Sequence, residues 1–129
     1  MPYVLTIPES AVFGNNVFVN SQGHTECVEF IRQAAGAPQT TTLQKGEKVM
    51  DAALGTIARG TAIATFDENS RYPTDSHGRH AAIYLYHNAA GIVVLDQWNS
   101  QGEVKQRTIF LNKPNFPRVN AAKHYYVIE

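Results

Sequence analysis

The order of its periodic segments constrains this chain most: a helix comes early, and the periodic segments beyond Gly60 read as strands. The first clear helix runs from Thr25 to Ala35. Val28, Ile31, Ala34 and Ala35 recur at helical spacing, while Glu29, Arg32 and Gln33 form the wet side. Thr25 can cap its start, and Gly36 followed by Pro38 stops it. A second, shorter helix is predicted from Glu47 to Leu54, ending at Gly55. After Gly60 the pattern switches. Thr61–Phe66, His80–His87 and Gly91–Trp98 are apolar runs with strand composition, and Arg107–Leu111 and His124–Ile128 supply a fourth and a fifth strand. Between the first two lies a polar loop, Asp67–Arg79, with Pro73, Gly78 and five charged residues; a loop that long is expected to have a function or mobility of its own. Helices first and strands afterwards predict an α+β fold, with an antiparallel sheet packed on the cysteine-bearing helix.

Composition narrows the functional classes. A chain of 129 residues, 43% apolar and 17% charged, fits one compact domain spanning residues 1–129, neither disordered nor membrane-embedded. Eleven basic residues balance eleven acidic ones, so the excess of positive charge that drives binding to nucleic acid or to anionic lipid is missing. No stretch approaches the roughly 18 apolar residues of a membrane span. Pro2, Pro8, Glu9, Asn15 and Asn16 interrupt the N-terminal segment, which argues against a Sec-type signal. The expectation is synthesis and retention in the cytoplasm unless a dedicated machine exports the protein. A single cysteine excludes an intrachain disulfide and a cysteine-rich zinc cage.

That cysteine, Cys27, has two readings. Buried lone thiols are commonly inert small hydrophobes. A thiol in a helix's first turn, however, feels the positive dipole end and unpaired backbone N–H groups, both of which favour thiolate. Its sequence neighbours Gln22, Gly23, His24 and Glu26 are polar, which puts it at an edge. A cysteine nucleophile also needs a histidine base from elsewhere in the fold. Of His24, His77, His80, His87 and His124, His80 stands out because it opens a strand directly after the polar loop. The group that would orient its ring is Asp96 or Gln97, and hairpin register decides which. If Asn88, Ala89 and Ala90 form a three-residue loop, His87 pairs with Gly91, Ala82 pairs with Asp96, and Asp96 shares a face with His80; a two- or four-residue loop presents Gln97 instead. Asp96 is the better chemical choice, since a carboxylate both orients an imidazole and stabilises its imidazolium. Asp75, His77 and His80 also lie within metal-ligand spacing, a weak signal without an accompanying general base, so no metal and no cofactor is expected. Tyr84, Tyr86, Trp98, Tyr125 and Tyr126 read chiefly as packing, with Trp98 able to line a cleft.

Four segments carry a resemblance. Glu26-Cys27-Val28-Glu29-Phe30-Ile31-Arg32 resembles the cysteine helix of NlpC-type and CHAP-type papain-like amidases. Gly60–Phe66 is similar to the strand that precedes their histidine, Gly78-Arg79-His80-Ala81-Ala82-Ile83-Tyr84-Leu85 to their histidine strand, and Gly91–Trp98 to the strand with the third polar residue. More narrowly, the strings GTAIATF, HAAIYL and VVLDQW in so small a chain resemble the small type VI secretion amidase effectors. The resemblance implies a papain-like α+β domain in which Cys27 is nucleophile, His80 base and Asp96 orienting group. It also implies hydrolysis of amide bonds in peptidoglycan stem peptides or cross-links, with the diaminopimelate–D-alanine cross-link favoured over the D-glutamyl–diaminopimelate bond. Gln22, Gln97 and Trp98 are the candidate oxyanion or substrate contacts. Glu26 departs from the Gln or small residue that several relatives carry before the cysteine; it is expected to point away or to help bind substrate. The expected partners are peptidoglycan peptides, a cognate immunity protein and the secretion apparatus, with delivery into a target cell's periplasm. An amidase acting on the cell's own wall or another amide, and a non-catalytic binding module with Cys27 in its core, are the rival readings.

Overall fold

The computed structural model describes residues 2–75, 78–111 and 121–129. A one-turn helix, α1 (Glu9–Val12), precedes the main helix, α2 (Cys27–Ala35). Phe30, Ile31, Ala34 and Ala35 of α2 are buried, and Arg32 and Gln33 are exposed. Gly36 ends the helix in the left-handed region (φ 73°), its N–H bonding the carbonyl of Arg32 at 3.1 Å, and the N–H of Ala37 closes on the carbonyl of Ile31 at 3.2 Å. The start differs from the sequence expectation. Glu26, in extended conformation, is the cap residue and makes no side-chain cap, while the Thr25 hydroxyl donates to the carbonyl of Trp98 at 3.2 Å. Cys27 is therefore the first helical residue, and no side chain among the described residues caps the first-turn amides.

Six strands follow: β1 (Lys45–Lys48), β2 (Ala62–Thr65), β3 (Ala81–Asn88), β4 (Gly91–Asp96), β5 (Lys105–Phe110) and β6 (Tyr125–Ile128). They form one sheet in the order β1-β6-β2-β3-β4-β5, each neighbouring pair antiparallel. The α+β class expected from the sequence is the class observed. The helix expected over Glu47–Leu54 does not form. Lys45–Lys48 pairs with the last strand instead, and Val49–Asp51 makes a 3-10 turn. Pairing of a sheet edge with Tyr125–Ile128 overrides a weak local preference. Gly46 suits this pairing, because a Cβ there would lie 2.5 Å from the Glu129 side chain and 2.8 Å from the Val127 carbonyl oxygen.

Both faces of the sheet are covered, which explains why β2 and β4 read as unbroken apolar runs rather than alternating ones. Ala62, Ala64, Ala81, Ile83 and Leu95 belong to the core that contains α2; the three alanines leave room for the helix backbone to approach. Ile63, Ala82, Tyr84, Val94, Tyr125 and Val127 build the other core, closed by Val49 and Ala122 from 3-10 turns. No helix among the described residues is long and apolar enough to cross a membrane.

The β3–β4 hairpin sets the register at the functional end. Asn88 pairs with Gly91, so the turn contains two residues, Ala89 and Ala90, and the expected pairing of His87 with Gly91 is replaced by His87 with Ile92. On its own this turn would have turned Gln97 toward His80. A bulge at Leu85 reverses the effect: Tyr86 pairs with Val93, but Tyr84 pairs with Val94 and Ile83 with Leu95. Beyond the bulge Asp96 returns to the face of His80.

Candidate active site

The N-terminus of α2 meets the sheet where β3 begins. Cys27 is half-buried there, and its Sγ lies 3.6 Å from the Tyr72 hydroxyl. Burial pushes the thiol's pKa up, but the charge of His80 and hydrogen bonds from His80, Tyr72 and the Ala81 backbone outweigh it, and the net shift is downward. Tyr72 is shifted far the other way, first by burial and then by the negative charge of Cys27, so it stays a neutral phenol that can donate to a thiolate. It reaches this position because Asp67 nucleates a turn in the polar loop, its Oδ1 accepting the N–H groups of Asn69 and Arg71 at 2.9 and 3.0 Å.

His80 is buried immediately before β3. Its backbone is pinned by Thr65, whose hydroxyl accepts the His80 N–H at 3.0 Å and donates to the Gly78 carbonyl at 2.7 Å. Its ring Nε2 lies 2.7 Å from Asp96 Oδ2, which leaves Nδ1 as the ring nitrogen for the thiol. Trp98 and Tyr125 stand edge-on to the imidazole, with ring centroids 6.2 and 6.5 Å away. Burial alone would lower the pKa of His80; the Cys27 and Asp96 charges and hydrogen bonds more than reverse this and raise it to about 9. Cysteine lowered and histidine raised are the shifts that favour passing the thiol proton to the imidazole. Replacing Thr65 by valine keeps the shape and orphans the buried His80 N–H, so Thr65→Val is expected to cost about 1–3 kcal/mol in urea unfolding. An unchanged urea midpoint would mean that Thr65 does not pin the histidine.

Asp96 is fully buried, and its Oδ2 accepts a second hydrogen bond, from Arg107 Nε, at 2.7 Å. Arg107 comes from β5, where it pairs with Val94 and so sits diagonally from Asp96 on the same face. Its guanidinium lies over the Trp98 ring, 5.1 Å from the centroid. Cys27 and His80 open onto a cavity of about 360 Å³ whose other walls are Glu26, Arg79, Trp98, Asn99 and Arg107.

Other residues singled out from sequence fall elsewhere. Gln97 is fully buried, and its Nε2 donates to the carbonyls of Phe18 and Glu26 at 2.7 and 2.8 Å; it ties the segment before Cys27 to the end of β4 and has no donor left for an oxyanion. Gln22 is exposed in a turn organised by Asn20 and lies outside the cavity wall, whereas Trp98 is part of it. Glu26 faces the cavity, and its Oε1 accepts from Asn99 Nδ2 at 3.4 Å. His87 is buried between the Tyr84 hydroxyl (2.6 Å) and the Ala52 carbonyl (3.0 Å), and His24 and His124 do not line the cavity. Of the Asp75, His77 and His80 grouping, His77 lies outside the described residues; among those described, no cluster of three metal-ligating side chains occurs. Thr65, Tyr72 and Arg107 were not foreseen, because only strand pairing and loop conformation bring them in.

A helix-borne thiol meeting an imidazole at the end of an antiparallel sheet is the layout of the papain-like amidases. The chain belongs to the family described as Domesticated amidase effector 2 (Dae2), whose model matches residues 5–128. It is 43% identical over 75 residues to the type VI secretion amidase effector 2 protein of Salmonella typhi, a match covering 58% of this chain and 54%, about half, of that protein. It is 33% identical over 107 residues to domesticated amidase effector 2 of Ixodes scapularis, covering 81% of this chain and 70% of the relative. A solved structure described as type 6 secretion amidase effector 2 (Tae2) superposes with a TM-score of 0.80 at 29% identity, over 97% of this chain and 93% of that one.

Proposed function

We propose that this chain is a peptidoglycan amidase in which Cys27 is the nucleophile, His80 the acid–base group and Asp96 the group that orients it, the whole forming one catalytic domain over residues 1–129. The observation that carries this reading is the buried His80 ring, hydrogen-bonded through Nε2 to Asp96 at 2.7 Å and through its other nitrogen available to the Cys27 thiol at the mouth of a cavity. The Cys27 thiolate attacks the amide carbonyl, and the Cys27 backbone N–H at the uncapped helix start holds the oxyanion. The imidazolium of His80 protonates the departing amine from Nδ1 and leaves a thioester. Water then adds to the thioester carbonyl, giving its proton to His80, and the acid product and Cys27 separate. Throughout, Asp96 holds the Nε2–H tautomer.

The names of the relatives supply the biological setting. We take the protein to be an antibacterial effector delivered by type VI secretion into a target cell's periplasm, where stem peptides and their cross-links are the substrate. The diaminopimelate–D-alanine cross-link is the favoured bond. The producing cell makes the protein in its cytoplasm and protects its own wall with a cognate immunity protein. Mass spectrometry of purified muropeptides before and after incubation tests the activity: new peptide fragments with wild type, and none with Cys27→Ala, are expected. Fragments produced equally by both would refute it. Directing the protein to the periplasm should lyse cells that tolerate it in the cytosol.

The paired shifts fix the shape of the pH dependence. kcat/KM rises on the acid side as the thiol ionises, below its ordinary value because of His80. It falls on the alkaline side as pH passes about 9, where His80 loses the proton that the leaving amine needs. A profile still climbing above that value would contradict His80 as the acid.

A further inference from the structure

We propose that Arg107 anchors the substrate: its Nε–H holds Asp96, and its Nη1/Nη2 edge receives a free carboxylate that the substrate carries beside the scissile amide. The proposal rests on the amidase reading and narrows its substrates to acidic peptides. An arginine has five N–H donors in a fixed fork. Among the described residues, Arg107 makes one hydrogen bond, from Nε to Asp96. The rest of the group forms part of the cavity wall shared with Cys27 and His80, and the side chain is 27% exposed. The ion pair on one edge and the Trp98 ring beneath hold the plane in place, so little side-chain freedom remains to be lost on binding.

The local charges leave that edge attractive to an anion. The thiolate is matched by the imidazolium, and Asp96 draws on the Nε side of the guanidinium alone. The second cation on the cavity wall, Arg79, is exposed and donates Nη1 to the Thr74 carbonyl at 3.1 Å, a looser arrangement with no ring or carboxylate among the described residues hydrogen-bonded or stacked against it. Glu26, the half-buried carboxylate of the cavity wall, faces Asn99. Fork-to-carboxylate pairing is directional and roughly twice as strong as neutral hydrogen bonding, so it can select for the acid over its amide. Stem peptides offer this feature at the diaminopimelate cross-link, where the carbon bonded to the amide nitrogen also carries a free carboxylate. Through one guanidinium, seating the substrate and aligning His80 become a single event.

The test measures calorimetric binding of a cross-linked stem peptide and of the same peptide with its carboxylates converted to carboxamides, both to Cys27→Ala protein. The acid form is expected to bind about tenfold tighter or more, the scale of a charge-assisted pair. In the same background, Arg107→Lys should cut the preference below about threefold, because one ammonium drawn to Asp96 offers no second edge. Arg79→Gln should leave the preference intact. The proposal is overturned by the absence of a difference between the two peptides, which needs no arginine variant to observe. A preference that survives Arg107→Lys, or that falls as far in Arg79→Gln, overturns it equally. Cleavage by wild type, followed in parallel by mass spectrometry, separates the two readings. Preference without cleavage would refute the amidase and keep the carboxylate site, and cleavage without preference would do the reverse.

Discussion

Cys27→Ala is expected to lower muropeptide turnover by about 10⁴-fold or more, the scale on which hydrolases lose rate when their nucleophile is removed. The fold should survive the change. Cys27 is half-buried at the first position of α2, its side chain caps nothing, and alanine is the best helix former. The variant also reports on the histidine. Two of the influences that raise the pKa of His80 to about 9 are the charge and the hydrogen bond of Cys27. With both gone, the opposing effect of burial gains weight, and the pKa of His80 should fall. NMR titration of the His80 ring in the two proteins measures this directly. Loss of turnover with an unmoved His80 titration would mean that thiol and imidazole are not paired, and retained turnover would remove Cys27 from the chemistry.

Asp96→Asn is the second large effect, an expected drop in kcat of about 10³–10⁴-fold, comparable to losing the carboxylate of a serine-protease triad. Asparagine matches the shape of aspartate, so the comparison isolates charge. Asp96 Oδ2 accepts from His80 Nε2 and from Arg107 Nε, each at 2.7 Å. An amide oxygen can still accept there, but it neither stabilises the imidazolium nor balances the guanidinium. Gln97→Ala is the control one residue along. It should cost stability, because Gln97 ties Phe18 and Glu26 to the sheet, and should reduce kcat far less. Steady-state kinetics on the same muropeptide, with thermal melts of both variants, decides the matter. A larger kcat loss in Gln97→Ala would place the orienting role on Gln97.

Much of the site was legible where local signals were strong. The apolar spacing of α2 and the Gly36 stop placed Cys27 at a helix start, and the apolar β3 and β4 runs placed His80 and Asp96 at the same end of a hairpin. The helix expected over Glu47–Leu54 is lost because its first residues, Glu47 and Lys48, belong to a strand paired with β6, far along the chain, and Val49–Asp51 tightens into a 3-10 turn. Thr65, Tyr72 and Arg107 lie on three separate segments, and nothing in a single sequence says that β2 and β5 flank the hairpin on either side or that the polar loop folds back onto the thiol. Asp96 was chosen over Gln97 for chemical reasons on an assumed three-residue turn; the actual turn is shorter, and the Leu85 bulge compensates for it.

That compensation makes the hairpin a counting device. Side chains alternate with strict parity, so the acid faces the histidine only while turn length and strand irregularity together keep the same odd-or-even sum. A residue lost from Ala89–Ala90, or the bulge at Leu85 ironed flat, would exchange Asp96 for Gln97 without altering any residue of the cavity wall. Either change made together with the other would leave the facing side chain as it is. Relatives whose hairpins differ in length should therefore differ in steps of two, or carry a second change that restores the count.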